Sequence, residues 1–150
     1  ATDLIRINAD GTVNEVSYQL INQAIGNFSG KIVIPGFYGV DINGKLKTFP
    51  RGGSDISGAI IARGVNAEVY ENWTDVDGVM THDPKFHQEA RTLEKIMVDH
   101  MITLSKNGAN VLHPDCLLPV MNSGIPVLVK NTFNRPGAGT LVITAQEGQG

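Results

Sequence analysis

The stretch Thr48-Phe-Pro-Arg51-Gly52-Gly53-Ser54-Asp55-Ile-Ser-Gly-Ala-Ile-Ile-Ala-Arg63-Gly64 reads as a strand end, a Gly-Gly turn and a helix of small residues. The helix is predicted over 54–63 and closed by Gly64. The next apolar run, 68–73, reads as a strand that ends at Thr74-Asp75-Val76-Asp77-Gly78. Strand, helix and strand in succession make a βαβ unit, which implies parallel pairing.

Working outward, the same alternation continues. Upstream, Asp41-Ile-Asn-Gly44 reads as a hairpin tip feeding a strand over 45–48. The apolar run Lys31-Ile-Val-Ile34, stopped by Pro35-Gly36, reads as a strand buried on both faces. Tyr18, Ile21, Ile25 and Phe28 fall at helical spacing, with Ser17 as a plausible N-cap, and 4–7 reads as a short strand. Downstream, a helix is predicted over 98–106 and closed by Asn107-Gly108, and another from Pro114 to Ser123-Gly124. Strands follow at 126–130 and 139–144, and 146–150 reads as the start of a linker. The expectation is an α/β fold with a mostly parallel sheet covered on both faces. Such folds bind ligands beyond the carboxyl ends of their strands, so the strand-to-helix loops are where function is expected.

Composition narrows the classes. The chain has 150 residues, 41% hydrophobic and 18% charged, enough for one core-bearing domain. A net charge of −3 with scattered basic residues gives no footprint for nucleic acid. The single cysteine, Cys116, excludes an intrachain disulfide and suits a reducing, cytoplasmic compartment. No apolar run approaches the ~20 residues of a membrane helix, and no signal peptide opens the chain. Matches to Asn-x-Ser/Thr at Asn27 and Asn72 are read as chance. The chain begins at Ala1 and not at Met, so a missing beginning is an expectation of this reading.

Two loops carry candidate chemistry. At Arg51-Gly52-Gly53-Ser54-Asp55, two glycines allow backbone N–H groups to converge where a helix N-terminus adds partial positive charge, a setting that suits phosphate. Arg51 offers a planar fork for a carboxylate or phosphate, and Asp55 is placed to cap the helix or hold an ammonium group. The plainer alternative is a Gly-Gly turn before a Ser- or Asp-capped helix, with Arg51 solvated. It is not a Walker loop, because neither Gly-Lys pair, at 30–31 or 44–45, precedes Ser or Thr. The second loop, Trp73 through Lys85, holds Asp-x-Asp-Gly, but a calcium register would put Trp73 and Pro84 at ligand positions. It reads either as a polar turn after a strand or as a nucleotide site, with Thr74 and Asp75 on base or ribose and Lys85 near the phosphates. His82, His87, His100 and His113 fall at no zinc spacing, so no protein metal site is expected. Cys116, among Leu117, Leu118 and Val120, reads as core and not as a nucleophile, and Asp99 and His100 read as an exposed helix face.

At these loops the sequence resembles the aspartokinases of the amino-acid kinase family. The resemblance runs from about residue 31 to residue 142. It rests on Ile34-Pro-Gly-Phe37, Arg51-Gly-Gly-Ser-Asp55, Trp73-Thr-Asp-Val-Asp-Gly78, Asp83-Pro84, Gly108-Ala-Asn-Val-Leu-His-Pro114, Val129-Lys-Asn-Thr-Phe-Asn134 and Gly139-Thr-Leu141, in that order. It implies an α/β/α sandwich, here incomplete: 1–145 would be the C-terminal portion of the kinase domain. It also implies ATP-dependent phosphorylation of the L-aspartate side-chain carboxylate, the first step towards lysine, threonine and methionine, with ATP and Mg²⁺ as cofactors. By resemblance Arg51 and Asp55 bind aspartate, and Asp55 is the candidate catalytic residue. Gly52 and Gly53 lie near the transferred phosphate, and Thr74, Asp75, Met80, Lys85, Asn110 and Val111 contact the nucleotide.

Three departures stand out: Pro50 for a common glycine, Met80 for an aromatic, and Asn110 for a cation. The Lys-Phe-Gly-Gly-Ser opening and the regulatory ACT domains of aspartokinases do not occur, so the chain is expected to be a fragment that is inactive alone, with homo-oligomerisation open. Kinases for glutamate, acetylglutamate, carbamate or a nucleotide share the implied fold. A non-catalytic nucleotide-binding module is the alternative of a different class.

Overall fold

In the computed structural model, residues 3–49, 52–82, 85–106, 112–121 and 123–144 are described. Pro50, Arg51, the Asp83-Pro84 pair, residues 107–111 with Asn110 and Val111, and the tail lie outside them. The elements in chain order are α1 (Val16–Ile25), β1 (Tyr38–Val40), β2 (Leu46–Thr48), α2 (Gly53–Gly64), β3 (Tyr70–Thr74), β4 (Lys95–Met97), α3 (Val98–Lys106), a 3₁₀ turn (Pro114–Leu117), β5 (Val127–Asn131) and β6 (Thr140–Ile143).

The main sheet has the order β3-β5-β6-β4. β3 pairs with β5 and β4 with β6 in parallel, while β5 and β6 are antiparallel, so the sheet is mixed but mostly parallel. Alternation along the strands builds its covered face: Val127 and Val129 on β5, Val142 on β6 and Ile96 on β4 are all buried. Against that face α2 lays Ala59 and Ala62, α3 lays Met101, the 3₁₀ turn adds Leu117 and the segment after it Val120. Among the described residues the other face is more open: Trp73 is exposed, and Leu128, Leu141 and Ile143 are half-buried. A second cluster of Ile5, Ile7, Ile21, Phe49 and Ile60 joins α1 to the outer side of α2. Burying a side chain of the Ile or Phe class contributes about 1.5–3 kcal/mol, so both clusters hold α2 in place. That helix therefore aims the Gly-Gly turn at its N-terminus in a fixed direction.

The hairpin at 41–44 forms as expected. Asp41 Oδ1 accepts from the N–H groups of Asn43 (2.8 Å) and Lys45 (2.9 Å), and Gly44 takes a positive φ of 76°. α3 has the bounds expected from its sequence.

Several expectations are corrected. Residues 31–34 form no strand: Val33 is 95% exposed, and among the described residues no chain pairs with the segment. An apolar run makes a buried strand only where a neighbour supplies ladder bonds and a cover. Among the described residues, 4–7 form only single bridges, Arg6 to Val40 and Ile7 to Val13. Ser17 does not cap α1. It lies buried inside the first turn, where its Oγ accepts from the Arg6 N–H at 2.8 Å. The helix expected from Pro114 shrinks to one 3₁₀ turn, because Pro119 has no N–H and its ring opposes the carbonyl four residues back. β4 had no sequence signal, since three residues with one buried side chain, Ile96, are too short for alternation to show.

Candidate active site

α2 begins at Gly53, with Gly52 as the residue before it in a left-handed conformation at φ 59°. Any side chain at Gly52 would meet Cys116 Sγ at 2.4 Å, and one at Gly53 would meet the Phe37 ring at 2.6 Å. The two glycines thus allow backbone to pass between a thiol and an aromatic ring, and among the described residues the first-turn N–H groups of α2 have no side-chain cap. Among the described residues neither Ser54 nor Asp55 caps the helix. The donors and dipole of this N-terminus suit an anion.

Asp55 is the third residue of α2, and its carboxylate is committed inward. Oδ1 accepts from Asn72 Nδ2 at 2.8 Å, and Asn72 Nδ2 also lies 3.0 Å from the Tyr70 hydroxyl. That hydroxyl in turn donates to the Asp55 backbone carbonyl at 2.9 Å. Oδ2 faces Gly52, 3.8 Å from where a Cβ there would stand. Burial pushes the Tyr70 phenol up to about 12, helped by the charge of Asp55 and opposed by the bond from Asn72. Burial likewise pushes the Cys116 thiol up to about 11, with Asp55 and Asp115 adding to it. Both groups keep their protons at neutral pH, so Cys116 is no nucleophile. Its Sγ donates to the Gly52 carbonyl at 3.6 Å and supports the turn from below.

Asn72 links the two loops. It lies two residues before Thr74 on β3, about 7 Å along the strand. The first loop, at the α2 N-terminus, and the second, at the carboxyl end of β3, therefore meet on one side of the sheet. Thr74 ends β3 half-buried and Asp75 follows exposed, with the Thr74 hydroxyl 3.4 Å from Asp75 Oδ1. Met80 is half-buried: its Sδ accepts from Thr92 Oγ1 at 3.2 Å. Bonds between Thr81 and Arg91 and between Val79 and Leu93 close a long loop in which Lys85 is exposed. Arg51, Asn110 and Val111, assigned by resemblance, lie outside the described residues.

Among the described residues no three His, Cys, Asp or Glu side chains converge to hold a metal. Nor is any described helix long and apolar enough to cross a membrane. A cleft of about 800 Å³ opens beside Phe49, Ile56 and Arg63, with Cys116 as a wall, but among the described residues none of those named for substrate or nucleotide lines it. Geometry and residue chemistry favour the loop pair over this cleft.

The Amino acid kinase family model matches residues 1–131. The chain belongs to the amino acid kinase family. Within that family it is similar to aspartokinases. It is 41% identical to aspartokinase 3 of Bacillus subtilis over 118 residues, covering 79% of this chain and 26% of that protein. A structure of Clostridium acetobutylicum aspartate kinase superposes on the whole chain with TM-score 0.90 at 42% identity, and the match takes in 34% of that protein. Escherichia coli aspartokinase III in complex with aspartate and ADP matches 97% of this chain with TM-score 0.83 at 31% identity, again over 34% of its own length. This amino acid kinase chain thus spans about a quarter to a third of the aspartokinases it resembles.

Sequence reading missed four residues of this region. Asn72 stood out only as a sugar-acceptor match, yet it is buried and joins the loops. Its inward place in the alternation of β3, between Tyr70 and Thr74, was the available signal. Asn131, Asn134 and Thr140 lie in quoted motifs to which no role was attached.

Proposed function

We propose that this chain forms the ATP-side part of an aspartate kinase, which transfers the γ-phosphoryl group of ATP to the side-chain carboxylate of L-aspartate. The observation that carries this is the pair of loops, Gly52–Asp55 and Thr74–Asp75, joined through the Asp55–Asn72 bond in a chain with aspartokinase-like sequence and fold.

In this reading Arg51 holds a carboxylate of aspartate and Asp55 its ammonium group, through the oxygen that Asn72 does not use. Gly52 and Gly53 bring backbone N–H donors to the phosphate, while Thr74, Asp75, Met80, Lys85, Asn110 and Val111 contact the nucleotide. One carboxylate oxygen attacks the γ-phosphorus, the bond from that phosphorus to the β,γ-bridging oxygen breaks, and ADP leaves with the electron pair. The products are 4-phospho-L-aspartate and ADP. The nucleophile is already ionised at neutral pH, so no general base is required. Alignment of two anions and stabilisation of charge on the transferring group carry the rate. Mg²⁺, if bound with the ATP phosphates, would supply charge neutralisation there. Remaining groups would come from sequence outside the matched region, so a nucleotide-binding unit without turnover by itself is the second reading. A cytoplasmic setting, a place in amino-acid biosynthesis and assembly as a homo-oligomer belong to the same proposal.

Setting this chain into full-length Bacillus subtilis aspartokinase 3 in place of the matched segment gives a chimera for testing these roles. There, Arg51→Ala is expected to raise KM for aspartate by tenfold or more and leave KM for ATP within about threefold. A change confined to ATP would refute the roles given to the first loop.

A further inference from the structure

The segment 131–140 ties down the nucleotide loop at three places. The Thr132 N–H donates to the Thr74 carbonyl at 2.8 Å. Asp77 Oδ1 accepts from Asn131 Nδ2 at 3.1 Å and from Asn134 Nδ2 at 3.0 Å. The Val79 N–H donates to Thr140 Oγ1 at 2.9 Å, and that hydroxyl donates onward to the Leu93 carbonyl. Gly78, at φ 149°, passes so close to Thr140 that a Cβ would stand 2.4 Å from its Oγ1. Asp75 sits between the first and second ties.

The two amides are themselves held. Asn131 Oδ1 accepts from the Phe133 N–H at 2.9 Å, and the Asn134 N–H donates to the Asn131 carbonyl at 3.1 Å. Asn134 closes a further turn through its carbonyl, which accepts from the Gly137 N–H at 3.0 Å. The amides therefore converge on one carboxylate oxygen from a preformed turn, and the charge on Asp77 strengthens both bonds. These bonds also hold the Asp77 carboxyl below its ordinary range, the one from Asn134 most, so it stays ionised at neutral pH. A ligand contact on a loop fixed in its bound geometry avoids the entropy of ordering that loop on binding.

We propose that Asp77 is a positioning residue for the nucleotide: it clasps the Thr74–Gly78 loop to the turn after β5, so that Thr74 and Asp75 meet ATP in one geometry. This rests on the nucleotide reading of that loop given above. Asp77 makes no contact with ATP in this account and acts through Thr74 and Asp75, three and two residues before it.

The test uses this chain, with MgATP titrated calorimetrically and backbone hydrogen exchange followed over residues 75–79. Asp77→Ala is expected to weaken MgATP roughly tenfold and to speed exchange in that loop, with the thermal midpoint moved by no more than about 2 °C. The pair Asn131→Ala/Asn134→Ala should weaken MgATP to the same degree, and adding Asp77→Ala to it should weaken binding no further. Asp77→Asn keeps an acceptor oxygen and should stay within about threefold of the unaltered chain, a rescue that no role for bare charge near the phosphates would give. Asp75→Ala serves as the comparator for direct contact. If Asp75→Ala weakens MgATP while Asp77→Ala does not, the clasp is wrong and the nucleotide reading stands. The clasp is equally wrong if Asp77→Asn binds as poorly as Asp77→Ala, or if Asp77→Ala has its full effect in the double variant. If the unaltered chain fails to bind MgATP, or binds it no better than Asp75→Ala, the nucleotide reading itself fails and takes the clasp with it.

Discussion

Replacing Thr140 with valine keeps the shape of the side chain and removes a hydroxyl that serves two backbone groups, one buried and one half-buried. Thr140 is fully buried, and its Oγ1 accepts from the Val79 N–H and donates to the Leu93 carbonyl. The exchange opens no cavity, so the cost is that of two polar groups left unpaired, each about 1–3 kcal/mol. Val79 is 1% exposed, which puts its N–H in the upper part of that range. Leu93 is half-buried, which puts its carbonyl in the lower part. Valine returns only tenths of a kcal/mol through strand propensity, so Thr140→Val should cost about 2–4 kcal/mol. Against a total of about 5–15 kcal/mol this is a large fraction. Urea unfolding should show a lower midpoint at unchanged slope, and the thermal midpoint should fall by roughly 5–15 °C. Thr140→Ser, which keeps the hydroxyl and loses one methyl, should cost only about 1 kcal/mol. Hydrophobicity alone orders the two variants the other way. A valine variant as stable as the serine variant would refute the reasoning.

Two further outcomes follow from the first loop. Gly52→Ala places a Cβ at φ 59° against Cys116 Sγ and should destabilise by more than the roughly 1–2 kcal/mol of the left-handed conformation alone. In Cys116→Ala the contact vanishes, so the two substitutions together should cost less than their sum by on the order of 1 kcal/mol in a double-mutant cycle, and strict additivity would exclude the contact. The second outcome concerns alkaline pH. Tyr70 titrates near 12 instead of 10.0 and Cys116 near 11 instead of 9.0, so the unfolded chain releases these protons first. Stability should be full below about pH 9 and fall as pH rises from 9 to 12, and Tyr70→Phe should flatten the upper part of that fall. A urea midpoint that declines equally in both proteins between pH 10 and 12 would show that Tyr70 is not the cause.

What the sequence reveals here depends on the range of the interactions involved. α3 and the 41–44 hairpin were readable because helix periodicity and an Asp-to-backbone turn act over a few residues. α2 was readable within a residue, since its stop at Gly64 is local, while its start was set by Phe37 and Cys116 from elsewhere in the chain. Residues 31–34 failed for the converse reason: the apolar run records a preference for burial, and no strand among the described residues satisfies it. At the candidate site, the placing of Gly52, Gly53 and Asp55 at the start of α2 and of Thr74 and Asp75 at the end of β3 was legible, because turn signals concentrate in short motifs. Asn72, Asn131, Asn134 and Thr140 act across separations of 17 to 61 residues. Nothing in a linear pattern says which carboxylate or amide such a side chain will find.

The most direct test of the aspartate kinase reading is to trap the acyl phosphate as its hydroxamate. The chimera and the 150-residue chain would each be supplied with MgATP, hydroxylamine and either L-aspartate or L-glutamate. The account predicts hydroxamate from the chimera with aspartate and none with glutamate, and no turnover by the chain alone. Turnover of glutamate by the chimera, or a folded chimera that makes no aspartyl hydroxamate, would contradict it.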